Sequence, residues 1–329
     1  MPLVLIESPN KISKLKKILG QNYVIMASVG HIMDLSKKNL GVDLESFDAT
    51  YKINSDKKDV AKDIKREALN HDTIYIATDP DREGEAIAFH LATLLPKKGV
   101  SVHRTRFNAI TKEAVKKAIK NPESLNDDLY NAQQARRITD RLVGFKVSPV
   151  MWNKGLRGTS AGRVQSVALK VISDREKEIK KFVPEEYWEI CAKTSMDFDA
   201  DFWGIDGKSF KILDQAKADF ITNAMEKTKG EFVVTECSGK SRVRKPSPPF
   251  ITSTLQQAAS NSFGWGAKKT MAIAQSLFGN GLITYHRTDS TRTDPQKVKD
   301  LRLKIEKKYG KQYLSSTVLN YGPKSSSQD

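Results

Sequence analysis

The chain has 329 residues, 39% of them hydrophobic and 29% charged, a composition typical of a folded protein of two or three domains. No apolar run approaches the roughly 20 residues of a membrane span. The two distant cysteines, Cys191 and Cys237, support neither a disulfide framework nor a zinc site, and we predict two unrelated free thiols. The formal charge of +16 favours a polyanionic partner such as nucleic acid, although a lysine-rich composition that serves solubility alone predicts the same charge.

Two apolar runs near the N-terminus predict buried strands. Leu3–Ile6 carries no basic flank or cleavage site of a signal peptide, and a helix from about Lys11 to Leu19 follows it. Thr73–Ala77 is followed by an acidic turn and an apolar helix. Because neither strand alternates with polar residues and each precedes a helix, we predict an α/β domain with a parallel-sheet core and flanking helices.

The middle of the chain indicates helices. Asn131–Val147 predicts a helix that carries Arg136, Arg137 and Asp140 on one side. Ser160 is a favourable N-cap for the next helix. That helix is expected to bury apolar residues at three-and-four spacing, namely Val164, Val167, Ala168, Val171 and Ile172.

After Glu186 the pattern changes to short strands. Tyr187–Val234 alternates apolar and polar residues, and Asp206-Gly207 indicates a hairpin turn. The basic, proline-rich residues 238–249 predict a linker. Two helices at Ser253–Phe263 and Lys268–Phe278, a strand at Leu282–Tyr285 and a helix after Pro295 then suggest a winged-helix-like module.

Acidic residues follow both N-terminal strands: Glu7 after the first, and Asp79, Asp81 and Glu83 after the second. Ligands gather at the carboxyl ends of parallel strands, and Mg²⁺ prefers carboxylates with water and phosphate oxygens. A solvated acidic turn and simple N-capping of the helix are the alternatives. An EF-hand is excluded because its twelfth position would fall on His90.

Several strings in this order resemble the Toprim domain and, more specifically, bacterial-type topoisomerase I of the type IA family. They are Glu7–Lys11, Gly30–Ile32, Asp79–Ala88, Asn131–Arg137, Arg157–Gln165 and Thr284–Ser290. The resemblance runs from residue 3 to the end of the chain and is weakest after Tyr187.

The resemblance implies a cleavage centre. Tyr285 would attack a DNA phosphodiester and form a phosphotyrosine link, with Arg287 and Lys11 facing the phosphate. Arg287 would share a strand face with Tyr285. Glu7 would act as acid, base or metal ligand, and Mg²⁺ would bind among the carboxylates of Glu7, Asp79, Asp81 and Glu83. No ATP is expected, because the ester conserves the bond energy and no phosphate-loop motif is present.

The resemblance also implies a groove for single-stranded or underwound DNA. Its residues would be His31, Arg136, Arg137, Asp140, Trp152, Ser160, Ala161, Gly162, Arg163, Val164, Gln165 and Arg287. Without the resemblance, the charged residues predict an ordinary solvated helix face, the tryptophan a core residue and the histidine a turn residue.

The expected domains are a Toprim domain (1–148), a helical DNA-binding segment (149–185), a β-rich arch portion (186–249) and a partial tyrosine domain (250–329). The family continues past this point into Ala-His-Glu-Ala-Ile-Arg-Pro, so we expect a fragment that needs further sequence, on this or a second polypeptide, for full relaxation. We expect a cytoplasmic protein, at the nucleoid or in another DNA-containing compartment, without membrane contact. The alternatives are another Toprim enzyme, a nuclease or primase, and a non-catalytic DNA-binding fragment.

Overall fold

The computed structural model describes residues 1–96, 98–244, 246–318 and 321. The chain divides into two compact units. The first unit comprises Met1–Arg163 together with the chain from Pro246 onward, and the second comprises Val164–Lys245. Within the described ranges, no helix is both long and apolar enough to cross a membrane.

The first unit contains six strands and eight α-helices among its described residues. In chain order they are β1 (Leu3–Ile6), α1 (Ile12–Leu19), β2 (Val24–Ala27), β3 (Met33–Leu35), β4 (Tyr51–Ile53), α2 (Lys58–Ala68), β5 (Thr73–Ile76), α3 (Arg82–Leu94), β6 (Ser101–Arg104), α4 (Lys112–Lys120), α5 (Asp127–Asn153), α8 (Thr252–Phe263), α9 (Ala267–Gly279) and α10 (Pro295–Tyr309). Numbers α6 and α7 belong to the second unit. Short 3₁₀ turns lie at Pro9–Lys11, Ser55–Lys57 and Lys311–Tyr313.

A four-stranded parallel sheet in the order β2-β1-β5-β6 forms the centre of this unit. Leu3 in β1 lies opposite Val24 in β2 and Ile74 in β5. The predicted α/β parallel-sheet core is confirmed, and both apolar runs form strands. Because all four strands are parallel, the residues that follow β1 and β5 meet at the same edge of the sheet.

Alternate residues of the central strand enter two separate cores. Leu3 and Leu5 pack with α2 and α3 on one face of the sheet. Val4 and Ile6 pack on the other face with α1, α4 and the end of α9. Successive side chains of a strand point to opposite faces, and helices cover both faces of this sheet. The strand is therefore apolar at every position and shows no polar alternation.

The segment that carries the predicted nucleophile is not a strand. Helices α8 and α9 form as predicted, but residues 282–285 have no strand partner and follow a tight bend at Gly281 (φ 68°). The backbone N–H of Tyr285 donates to the Asn108 carbonyl at 2.7 Å. This hydrogen bond to a loop carbonyl stands in place of pairing with a neighbouring strand. The predicted Leu282–Tyr285 strand is therefore wrong.

The second unit contains helices and short hairpins. Its elements are α6 (Gln165–Lys181), β7 (Cys191–Lys193), β8 (Asp199–Asp201), β9 (Gly204–Ile205), β10 (Lys208–Ser209) and α7 (Gln215–Lys227). The hairpin predicted at Asp206-Gly207 is confirmed, since Ile205 pairs with Lys208 across it. Helix α7, which sequence alternation did not reveal, packs Ala218 and Ile221 against Ile212.

Two predictions about α6 are wrong. The helix begins at Gln165 and not after Ser160, because the backbone N–H of Ala161 instead donates to Ser148 Oγ at 3.0 Å. The apolar side chains predicted to be buried are exposed, with Val164 at 65% and Ile172 at 66%. The apolar spacing correctly predicted a helix, but none of the described residues covers that face.

Candidate active site

The acidic residues of β1 and β5 lie at the same edge of the sheet. Glu7 follows β1 directly, and the 3₁₀ turn Pro9–Lys11 brings Lys11 back over this edge. The buried Lys11 ammonium donates to the Asp79 carboxylate in the loop after β5. A buried cation beside a buried carboxylate offsets part of the cost of removing both charges from water.

Asp81 connects the acidic loop to the predicted nucleophile. As the N-cap of α3, its Oδ1 accepts from the Gly84 backbone N–H at 2.8 Å. Its Oδ2 accepts from the Tyr285 hydroxyl at 2.6 Å. The helix cap fixes the carboxylate, and the carboxylate in turn fixes the phenol.

Gly84 permits the close packing of this loop on α3. A Cβ at residue 84 would lie 2.1 Å from the Asp79 carbonyl oxygen. Thr78 Oγ1 donates to the Gly84 carbonyl at 2.6 Å, which ties the loop to the helix a second time. A side chain at this position would therefore displace Asp79.

Tyr285 is buried, and its ring packs edge-on against Phe278 with centroids 5.1 Å apart. Burial, together with the carboxylates of Asp81 and Asp79, raises the pKa of the Tyr285 phenol well above its ordinary value. Positive charge brought to this site would lower the cost of forming the phenolate.

Arg287 and Glu7 complete the cluster around the phenol. Arg287 Nη1 lies 3.6 Å from Asp81 Oδ2, so it reaches the site although no strand aligns it with Tyr285. Burial, reinforced by the charge of Asp79, raises the pKa of Glu7. A raised carboxyl pKa favours the protonated form, which suits a group that gives a proton to a reacting oxygen.

Glu83 is directed toward other partners. It accepts from His31 Nε2 at 3.2 Å and from Gln133 Nε2 at 3.1 Å. The hydrogen bond with His31 is the main reason that the pKa of Glu83 falls to about 2. Across the described residues, no three His, Cys, Asp or Glu side chains converge in an arrangement able to hold a metal ion.

Arg104, at the end of β6, braces the acidic loop from below. Its guanidinium is fully buried and pairs with Glu85 at 2.8 Å. It also donates to four carbonyls, those of Ile76, Thr78, Asp79 and Thr105, at 2.8–3.0 Å. One side chain thereby holds the turn between β5 and α3 in place.

A cavity of about 310 Å³ lies beside this cluster, between β3, α3 and α5. Two arginines in its wall are paired with carboxylates. Arg137 Nη2 donates to both carboxylate oxygens of Asp34 at 2.6 Å, and Arg163 Nε lies 2.8 Å from Asp140 Oδ1. Arg136 also lines the cavity and is exposed.

His90 forms the buried end of the cavity. Both ring nitrogens lack a hydrogen-bond partner among the described residues, and the ring packs against Tyr51 with centroids 4.6 Å apart. Burial lowers the pKa of His90 to about 4, so the ring is neutral at physiological pH.

Comparison with known proteins identifies the family. A family model described as a Toprim domain matches residues 2–110, and one described as a DNA topoisomerase matches residues 124–329. The chain is 42% identical to DNA topoisomerase 1 of Vibrio cholerae serotype O1 across 99% of its own length. The chain belongs to the DNA topoisomerase family.

A solved structure supports the same assignment. Full-length topoisomerase I from Thermotoga maritima matches 95% of this chain with a TM-score of 0.82 and 38% identity. The match covers 54% of that chain, and the Vibrio match covers 42% of that protein. The chain therefore spans about half the length of these topoisomerases.

The structure places the predicted cleavage residues of this topoisomerase chain together. Six of them form one cluster at the sheet edge: Glu7, Lys11, Asp79, Asp81, Tyr285 and Arg287. Six other predicted residues line the neighbouring cavity: His31, Glu83, Arg136, Arg137, Asp140 and Arg163.

Other predicted DNA-binding residues lie elsewhere. Trp152 is 45% exposed and donates to the Thr159 carbonyl at 2.6 Å, so it is not a core residue. Ala161 is buried against Ser148, while Ser160 and Gly162 lie in the loop between α5 and α6. Val164 and Gln165 belong to the second unit, where both are exposed.

Four residues that organise the site were not predicted as site residues: Asp34, Glu85, Arg104 and Gln133. Gln133 stands inside a string already associated with the family. Arg104 offered a weaker signal, a charged residue at the end of a strand otherwise suited to burial. Their roles depend on contacts between residues 19 to 103 positions apart, which local patterns do not reveal.

Proposed function

We propose that this chain provides the cleavage centre of a type IA DNA topoisomerase, which breaks and rejoins one DNA strand through Tyr285 without ATP. The observation that carries the proposal is the hydrogen bond between the Tyr285 hydroxyl and Asp81 Oδ2 at 2.6 Å. It joins residues 204 positions apart and holds the Tyr285 hydroxyl against the acidic loop that follows β5.

In the proposed reaction, Tyr285 Oη attacks a backbone phosphorus and forms a phosphotyrosine ester. The phenolic proton passes to the Asp81 carboxylate, which already accepts its hydrogen bond. The bond from phosphorus to one deoxyribose oxygen breaks, and that oxygen takes a proton from Glu7, whose pKa is raised by burial and by Asp79. Rejoining reverses each step.

Arg287 and Lys11 supply positive charge in this scheme. Arg287 lies beside Asp81, where its planar guanidinium would face the oxygens of the scissile phosphate. Lys11 pairs with Asp79, and its ammonium would neutralise negative charge that develops on the scissile phosphate.

Glu7, Asp79 and Asp81 would hold Mg²⁺ after a rearrangement, since the described residues form no three-ligand cluster and Lys11 and Tyr285 occupy the two aspartates. Burial and the neighbouring charges of Asp79 and Asp81 raise the pKa of Glu7, and a divalent cation would offset that repulsion. The three carboxylates are hard oxygen ligands of the kind Mg²⁺ prefers. When bound, the ion would supply positive charge near the phosphate and the phenol. Glu83 already accepts hydrogen bonds from His31 and Gln133, so it would support the site without binding the ion directly.

Single-stranded or underwound DNA is the proposed substrate. The strand would reach Tyr285 through the cavity beside α5. Arg136 is exposed in the cavity wall and offers a phosphate contact. Relaxation of supercoils requires strand passage, and would also use the remaining length found in the relatives, on the same or a second polypeptide. A DNA substrate would be met in the cytoplasm at the nucleoid, or in another compartment that contains DNA.

The test is covalent trapping on a labelled single-stranded oligonucleotide with Mg²⁺, followed by denaturation. We expect labelled protein from the unaltered chain and none from Tyr285→Phe, which keeps the ring and its packing on Phe278. Tyr23→Phe is the matched control, because Tyr23 precedes β2 at the end of the parallel sheet opposite the acidic loop. Equal adduct from Tyr285→Phe would show that another residue is the nucleophile, and cleavage without any adduct would instead indicate a hydrolytic Toprim enzyme.

A further inference from the structure

Helices α1 and α4 carry a dense, one-signed charge. Their residues include seven lysines and a single acidic residue, Glu113, a formal charge of +6. The lysines are Lys14, Lys16, Lys17, Lys112, Lys116, Lys117 and Lys120. We call these seven side chains the lysine face.

The two helices cover the same side of the sheet. Leu15 of α1 and Val115 of α4 belong to one core with Val4 and Ile6 of β1. Helices α2 and α3, which cover the opposite side, carry five basic and five acidic residues and no net charge. The positive charge is therefore a property of one side of the sheet and not of its helices in general.

The lysine face is open to solvent. Six of its seven lysines are exposed and Lys14 is half-buried. Within the described residues, none of the seven forms a salt bridge, whereas α2 pairs Arg66 with Asp63 at 2.8 Å. Lys112, Lys116 and Lys120 recur every four residues, where like charges destabilise a helix by a few tenths of a kcal/mol per pair. A polyanion would relieve that repulsion.

The lysine face adjoins the segment that carries the nucleophile. Lys14 lies against Gly281, where a Cβ would come within 3.3 Å of the Lys14 Cε. The Asn108 carbonyl, four residues before α4, accepts the Tyr285 backbone N–H at 2.7 Å. DNA held at Tyr285 would thus continue next to this surface.

We propose that the lysine face binds the phosphate backbone of double-stranded DNA flanking the strand at Tyr285; this rests on the proposed function. Neither helix contains an aromatic residue or an arginine. Single-strand surfaces combine positive charge with aromatic platforms on which bases stack. A field of lysines without such platforms contacts phosphates alone, which suits a duplex whose bases are already stacked.

The test compares three triple variants of the full chain. K112Q/K116Q/K120Q removes charge from the face, and K112R/K116R/K120R keeps it. K58Q/K62Q/K65Q removes three exposed lysines from α2 on the opposite side of the sheet and is the matched control. Binding to a duplex oligonucleotide and to a single strand of equal length is measured over a series of salt concentrations.

We expect the salt slope for the duplex to fall by about 0.9 for each lost phosphate contact, about 2.7 in all, in the α4 glutamine variant. The arginine variant and the α2 control should keep the slope of the unaltered chain. An unchanged slope in the α4 variant, or an equal fall in the α2 control, would overturn the proposal. An equal loss on single-stranded DNA would overturn the assignment to duplex.

These outcomes are separate from the test of the proposed function. Adduct formation on a single-stranded oligonucleotide depends on Tyr285, and the glutamine variant on α4 should keep it. If the unaltered chain forms no adduct, the proposed function fails, and the salt slopes still decide whether the lysine face binds duplex DNA.

Discussion

Replacing Arg104 with Met tests how the acidic loop is held. The substitution keeps a side chain of similar length but removes the partner of Glu85, whose carboxylate is fully buried. An uncompensated buried charge costs about 3–5 kcal/mol. That is a large share of the 5–15 kcal/mol that typically stabilises a folded domain.

Urea denaturation followed by far-ultraviolet circular dichroism measures the loss in the free energy of unfolding. Arg106→Met is the matched control, because Arg106 pairs with Glu123 in solvent, with side chains 31% and 47% exposed. Exposed pairs contribute about 0–1 kcal/mol. Adding Glu85→Met to Arg104→Met should recover part of the loss, since the buried charge is then gone. An Arg104→Met loss no larger than that of Arg106→Met would refute this account of the brace.

Three further predictions concern the loop and the cavity. Gly84→Ala places a Cβ 2.1 Å from the Asp79 carbonyl oxygen, so it should cost about 1–3 kcal/mol of stability and reduce the adduct yield. The control is Gly144→Ala, because Gly144 lies within α5 with open space around it. This control should be neutral or stabilising in the same denaturation assay. Because the pKa of Glu83 is lowered to about 2, its stabilising effect is complete above the ordinary carboxyl pKa and is lost as pH falls toward 2. For this partly exposed group, the stability difference from Glu83→Gln should shrink over that window from about 1 kcal/mol, and a pH-independent difference would contradict it. Arg136→Gln should lower the salt slope for single-stranded DNA by about 0.7, one phosphate contact, and an unchanged slope would remove Arg136 from the groove.

Much of the sheet edge was predictable from local pattern. The runs Leu3–Ile6 and Thr73–Ala77 lack polar alternation because both faces of the sheet are covered, and that property is visible in the residues themselves. Parallel strands then bring Glu7 and Asp81 to one edge without further information. The family resemblance, borne out by the comparisons, was needed to single out Tyr285.

The errors arise where contacts distant in sequence decide the outcome. Leu282–Tyr285 has the composition of a strand but is held by one loop carbonyl, and four apolar residues do not distinguish these cases. Helix α7 follows a good N-cap, Asp214, and spaces Ala218, Ile221 and Met225 as a helix does. The alternation predicted from Tyr187 to Val234 therefore does not extend over this helix.

The arch and winged-helix descriptions of residues 186–249 and 250–329 remain predictions, as do the four domain boundaries. The described part of residues 238–249 contains no helix or strand before α8, as the proline-rich composition predicted. The two exposed cysteines are free, also as predicted.

Peptide mapping of the trapped adduct tests the central claim most directly. Trypsin should release residues 270–287 as one peptide, in which Tyr285 is the sole tyrosine. We predict that this peptide carries the mass of the attached nucleotides and that fragmentation places them on Tyr285. Nucleotides on any other residue, or a peptide of unmodified mass from a confirmed adduct, would contradict Tyr285 as the nucleophile.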